Sequence, residues 1–129
     1  MIVDTSAVMA ILRKEPDAPT FGAALARAPR AAISAATLVE LCMVAESRAG
    51  AAAWVEVEAL MADAAIEVAP LTAGQAALAC EGWRRFGKGR HPAGLNLGDC
   101  FSYALARERG EPLLFKGEDF ARTDVRRAV

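Results

Sequence analysis

Short apolar stubs alternate with longer stretches of helical spacing from one end of this chain to the other. Met1-Ile2-Val3 is the first stub, closed by Asp4, and Thr5 or Ser6 can cap a helix running to about Arg13. Glu15-Pro16-Asp17 restarts a helix that reaches about Ala28 and ends before Pro29. Ala31-Ala32-Ile33-Ser34 predicts a second strand. Ser34 and Thr37 are caps for the next helix, which lines up Leu38, Leu41, Cys42 and Ala45 on one face. Gly50 breaks that helix, and Trp54, Val57, Leu60 and Met61 mark another. Ile66-Glu67-Val68 predicts a third strand ending at Pro70, and Thr72 opens a helix to about Phe86. Residues 87–96, Gly-Lys-Gly-Arg-His-Pro-Ala-Gly-Leu-Asn, lose all apolar period and predict a flexible loop. Gly98-Asp99 then starts a helix through Phe101, Ala104 and Leu105 to Gly110, and Leu113-Leu114-Phe115 is a fourth strand. Strands alternating with helices predict an α/β domain, a parallel sheet with helices on both faces.

Composition narrows the class. A chain of 129 residues predicts a single domain, 1–129, able to bury an ordinary core without staples. Hydrophobic residues make up 54% but aromatics only 6%, an alanine- and leucine-rich balance that suits helices better than a β-sandwich. The formal net charge of −1 supplies no global field for nucleic acid, so any such contact must come from a local patch. Cys42, Cys80 and Cys100 lack the spacing of metal-binding pairs and read as small buried residues of a reducing compartment. No apolar run approaches the ~20 residues of a membrane span, and no signal peptide is evident, so a cytoplasmic location is expected.

Chemistry concentrates at four acids. Asp4 ends the first strand, Glu40 lies just after the first turn of the helix following the second, Asp99 opens a helix, and Asp119 follows the fourth strand. In a parallel sheet the strand ends and the following helix starts share one edge, where ligands bind. Carboxylates gathered there repel one another unless a divalent cation joins them. Magnesium or manganese is the hard cation such oxygens prefer, and it can activate water and steady charge on a phosphoryl oxygen. Taken singly, Asp4 and Asp99 could equally be helix caps.

The motifs carrying these acids have a family likeness. Val3-Asp4-Thr5-Ser6-Ala7, Ser34-Ala35-Ala36-Thr37-Leu38-Val39-Glu40, Leu95-Asn96-Leu97-Gly98-Asp99-Cys100 and Leu113-Leu114-Phe115-Lys116-Gly117-Glu118-Asp119-Phe120 occur in this order across essentially the whole chain. The ordered set resembles the PIN-domain ribonucleases, and among them the VapC toxins of bacterial toxin–antitoxin pairs. The resemblance implies a three-layer α/β/α sandwich with a short, mainly parallel sheet. It also implies Mg²⁺- or Mn²⁺-dependent hydrolysis of RNA phosphodiester bonds, with Asp4, Glu40, Asp99 and Asp119 as the catalytic, metal-binding quartet. Glu118 and Asp124 are rivals for the fourth place. A small VapB-like antitoxin whose C-terminal segment lies across the acidic cleft is the implied partner, an arginine being the plausible plug. The apolar faces carrying Leu12, Phe21, Leu38 or Trp54 offer a groove for its helix, and similar faces suit a homodimer.

Other residues leave more than one reading. The hydroxyl of Thr5 or Ser6 can contact metal or phosphate, or simply cap a helix; Asn96 can orient Asp99, meet a phosphate, or stabilise its loop. Arg84, Arg85, Lys88, Arg90 and His91 form the one dense basic stretch, and Lys88 and Arg90 are the expected RNA contacts with Ser6 and Asn96. Trp54 and Trp83 fall on apolar helical faces and read as packing or dimer residues rather than base-stacking platforms. A phosphatase of the strand-end aspartate type needs an acid where Ser6 stands. A receiver domain needs a third-strand aspartate, but Ala69-Pro70 follows Val68. The open alternatives are a PIN-fold nuclease of RNA maturation or DNA flaps without a toxin role, and a non-enzymatic binding module.

Overall fold

A computed structural model describes all 129 residues as four strands and six helices. In chain order they are β1 (Ile2–Val3), α1 (Thr5–Leu12), α2 (Ala18–Arg27), β2 (Ala31–Ser34), α3 (Ala35–Ala49) and α4 (Ala51–Asp63). Then come β3 (Ile66–Ala69), α5 (Ala73–Phe86), α6 (Leu97–Arg109), β4 (Leu113–Leu114) and a 3₁₀ turn at Phe120–Arg122. The sheet is entirely parallel in the order β3-β2-β1-β4, with Ile2 opposite both Ala32 and Leu113.

Strand alternation builds the layers. Ile2, Ala32 and Leu113 point into one core with α5 and α6, while Val3, Ala31, Ile33 and Leu114 point into the other with α1 to α4. Strands buried on both faces must be apolar throughout, which is why β1, β2 and β4 read as unbroken apolar stubs rather than as alternating strands. The order places β1 between β2 and β4, so the chain reverses direction of winding there, and the crevice at the carboxyl ends of β1 and β4 is the expected ligand position.

Several local expectations change. The second helix starts at Ala18 rather than at Glu15; Asp17 precedes it without a side-chain cap, and Lys14 turns the chain in the left-handed region. Asp4, not Thr5 or Ser6, caps α1. Residues 87–96 are a folded loop: Gly87 bridges Leu95, and Ala93 and Leu95 are buried. His91 accepts from the Ala93 N–H at 3.0 Å and meets Phe86 edge-on, which makes it a structural residue of that loop. The absence of an apolar period hid this, because turn hydrogen bonds have no period. Only Cys100 of the three cysteines is buried; Cys80 is exposed. Residues 126–128 pair with the outer edge of β4, where Leu113 exchanges hydrogen bonds with Arg126 and Ala128, and so cover an edge that would otherwise be open.

Candidate active site

Asp4 leaves β1 in extended backbone and turns its carboxylate back over the start of α1. Its Oδ2 accepts from the Ser6 N–H at 2.9 Å and from the Ser6 hydroxyl at 2.6 Å. Its Oδ1 accepts from the Ser102 hydroxyl at 2.6 Å. Both serines act as relays. Ser6 Oγ accepts in turn from the Lys116 N–H, which ties the end of β1 to the end of β4. Ser102 Oγ lies 3.2 Å from Thr37 Oγ1, and since Ser102 donates to Asp4, Thr37 donates to Ser102. Asp4, Ser102 and Thr37 are all buried. The carboxylate is therefore fixed from four elements at once; Oδ2 uses both lone pairs on Ser6, and Oδ1 keeps one free.

Asp99 is set by the start of α6. Asn96 Oδ1 accepts from the Asp99 N–H and Asp99 Oδ2 from the Asn96 N–H, both at 2.9 Å, forming a reciprocal capping box. Of the open readings of Asn96, orienting Asp99 is the one its bonds perform. Glu40 comes across from α3 and lies on the backbone of Gly98, where an added Cβ would overlap its carboxylate. The cleft so formed holds about 390 Å³ and is lined by Asp4, Glu40 and Asp99 together with Thr5, Ser6 and Asn96.

The acids feel one another. Burial pushes the Asp99 carboxyl up to about 7 against the pull of its Asn96 bond, and the charges of Asp4, Asp119 and Glu40 push the same way. Burial likewise raises Glu40, opposed by the nearby Thr5 hydroxyl and helped by the Asp4 charge. Asp119 is exposed on the loop after β4, close enough to act on Asp99 without lining the cleft. Its rival Asp124 is engaged elsewhere, by Arg107 at 2.8 Å and Arg85 at 3.0 Å.

The sequence profile of the PIN domain matches residues 1–126. The chain belongs to the PIN-domain family. Within it the relatives are VapC ribonucleases. One, from Mycolicibacterium smegmatis, is 49% identical over 125 residues and spans 97% of both chains. Ribonuclease VapC28 of Mycobacterium tuberculosis is 48% identical over 130 residues, 100% of this chain and 98% of its own. Among solved structures, the fold matches Mycobacterium tuberculosis VapC20, described as a sarcin–ricin loop cleaving toxin, with a TM-score of 0.76 at 23% identity over 96% of this chain and 95% of that one. It also matches a chain from a toxin–antitoxin complex of Klebsiella pneumoniae, with a TM-score of 0.69 at 20% identity over 95% and 92%.

For a PIN domain, the donor set fits a hard divalent cation. The cleft's carboxylates and hydroxyls offer oxygen donors, with no histidine or cysteine in the lining, and the buried Thr5 hydroxyl has no hydrogen-bond partner of normal geometry. No three acidic, histidine or cysteine side chains are set to enclose an ion by themselves. Magnesium does not require that, since it is held by one or two carboxylates and keeps its waters.

Cationic residues are distributed differently from the expectation. Lys88 and Arg90 sit beyond Asn96, outside the cleft; Arg85 is paired with Asp124 and Glu81. The cleft itself has Arg13, Arg48 and Lys116 on its rim. Lys116 is tied to Glu15 and Asp17, and Arg13 to Glu15 at 3.3 Å, but Arg48 lines the cleft without an ion pair of its own. Sequence reasoning missed these three because they are far apart in the chain. It also missed Ser102 and Thr37, whose neighbours carry no polar pattern; helical spacing from Asp99 to Ser102 was the one available signal. The faces offered as a partner groove are largely used internally, Phe21 being buried and Leu12, Leu38 and Trp54 packed against the core.

Proposed function

We propose that the chain, acting as a single domain, is a Mg²⁺- or Mn²⁺-dependent endoribonuclease and the toxin of a VapBC-type pair. The observation that carries this reading is the convergence of Asp4, Glu40 and Asp99 on one cleft where Asp99 is raised to about 7. Asp4 and Asp99 would hold the cation, with Glu40 beside them and Asp119 at the outer edge. When bound, the cation would supply Lewis-acid stabilisation of charge on the phosphoryl oxygens. The chain's own residues do the rest. Ser6 and Ser102 keep Asp4 in place, and Asn96 keeps Asp99 in place, so the donors need not reorganise as charge develops. Arg48 and Arg13 lie where a backbone phosphate would cross the rim, a contact that positions RNA without reading its sequence. The names of the relatives, ribonucleases throughout, favour RNA as substrate. The acidic cleft favours an arginine-bearing antitoxin segment as inhibitor, since a guanidinium pairs bidentately with carboxylates. A cytoplasmic homodimer is the expected working form.

The test is cleavage of total RNA with Mn²⁺ by the wild type, Asp4→Asn and Asp99→Asn. Removing one charged ligand should abolish cleavage in each folded variant, and chelation should abolish it in the wild type. Full activity in either variant overturns the metal-site reading.

A further inference from the structure

We propose that the groove between α5 and α6 is a nucleobase subsite, in which the RNA base next to the scissile phosphate stacks against Trp83. The proposal rests on the ribonuclease reading of the acidic cleft and deepens it. The groove holds about 440 Å³, within the ~300–1,000 Å³ range of small-ligand clefts. Its walls are apolar and one is made of small side chains, Ala76, Ala79 and Cys80 on α5, facing Leu97 and Phe101 on α6. A slot of that kind suits a flat ring.

Three further observations say what the ring belongs to. First, Asn96 lines both the groove and the cleft, so a strand held at the carboxylates has a base at the mouth of the slot. Second, Trp83 is 43% exposed although it is large and apolar. An added Cβ at Gly87 would run into the Trp83 carbonyl oxygen and stand 2.5 Å from the indole Cδ1, so the ring lies directly on the backbone of residue 87. The Arg90 guanidinium lies 4.1 Å from the ring centroid. An exposed aromatic ring beside a guanidinium is the kind of platform that single-stranded nucleic acid uses, since every base has a π-face. Third, the charge at the groove is positive, from Lys88 lining it and Arg90 beside it. A base arrives with its phosphate and complements that charge. A second copy of the chain, docked through the same patch, would bring Lys88 and Arg90 against their equals.

The test uses a short single-stranded RNA that the wild type cleaves once, and the same RNA with an abasic nucleotide at each flanking position in turn. One abasic position should raise KM for the wild type by roughly 5- to 150-fold, the effect of one base–aromatic stack. In Trp83→Ala the intact RNA should show that higher KM, with no further penalty from the abasic change, and Trp83→Phe should recover part of the loss. Trp54→Phe leaves Trp83 as the only tryptophan, and its fluorescence should be quenched by the intact RNA and not by the abasic one. An abasic penalty that persists in full in Trp83→Ala overturns the subsite while leaving the nuclease reading intact. So does a Trp83→Ala variant whose sedimentation changes while its KM does not, which assigns the groove to a second copy. A wild type that cuts no RNA overturns both.

Discussion

Burial, helped by the charges of three other acids, pushes the Asp99 carboxyl up to about 7, and the consequence can be read in stability. Between its ordinary 3.8 and about 7, the folded chain binds the carboxyl proton while the unfolded chain has lost it. Its contribution to stability therefore falls as pH rises through that window and is level above it. A divalent cation selects the ionised form and opposes the trend. Melting curves from about pH 5 to about pH 8 should show Mn²⁺ raising Tm more at the upper end, and Asp99→Asn should remove most of that dependence. A Mn²⁺ effect unchanged across the range would sink this account. Asp4 raises a different question, since two serine hydroxyls hold its carboxylate. Ser102→Ala removes the 2.6 Å bond to Oδ1 and leaves the fold its apolar contacts. Partners of this kind typically matter by about 10- to 100-fold in metal affinity or activity. Titration of Mn²⁺ into Ser102→Ala should show such a loss, and an unchanged affinity would make Ser102 only a packing residue.

At the scale of elements, the site depends on how closely α3 approaches the start of α6. Glu40 reaches the cleft only because residue 98 has no side chain. Gly98→Ala favours the helix intrinsically, by up to ~1 kcal/mol, yet forces a carbon onto the Glu40 carboxylate. Overpacking of this kind costs about 1–3 kcal/mol when backbone must move, and here it also displaces a carboxylate. Gly98→Ala should therefore be less stable than the wild type in urea and should cleave RNA poorly. Restored stability with Glu40→Ala added would identify the clash as the cause. A variant as stable and active as the wild type would mean that α3 yields without consequence.

The whole molecule raises the question of control. An open carboxylate cleft on a nuclease would damage the cell that makes it, and an arginine-bearing inhibitor is the chemistry that closes such a cleft. Expression of the chain alone should arrest growth, and co-expression of a cognate antitoxin should restore it. A folded, metal-binding chain that leaves growth untouched would end the toxin reading and favour RNA maturation.

The order of strands and helices was legible in the sequence because strands buried on both faces are written as apolar stubs and helix starts as capping residues. Asp4 and Asp99 were legible for the same reason: each sits at a boundary that local chemistry marks, Asp4 as the cap of α1 and Asp99 as the capping-box partner of Asn96, and both line the cleft. The α/β class followed from alternation alone, while the sandwich and its family followed from four ordered motifs. What the sequence could not supply is what depends on separations of tens of residues. Ser102 meets Asp4 across 98 residues and Lys116 meets Ser6 across 110, through bonds that leave no periodic trace. The rim of Arg13, Arg48 and Lys116, and the slot beside Trp83, likewise exist only where distant elements are brought together. Local interactions are short in sequence and so can be read along it; the raised pKa of Asp99 arises from burial and from charges that only the packed sheet edge assembles.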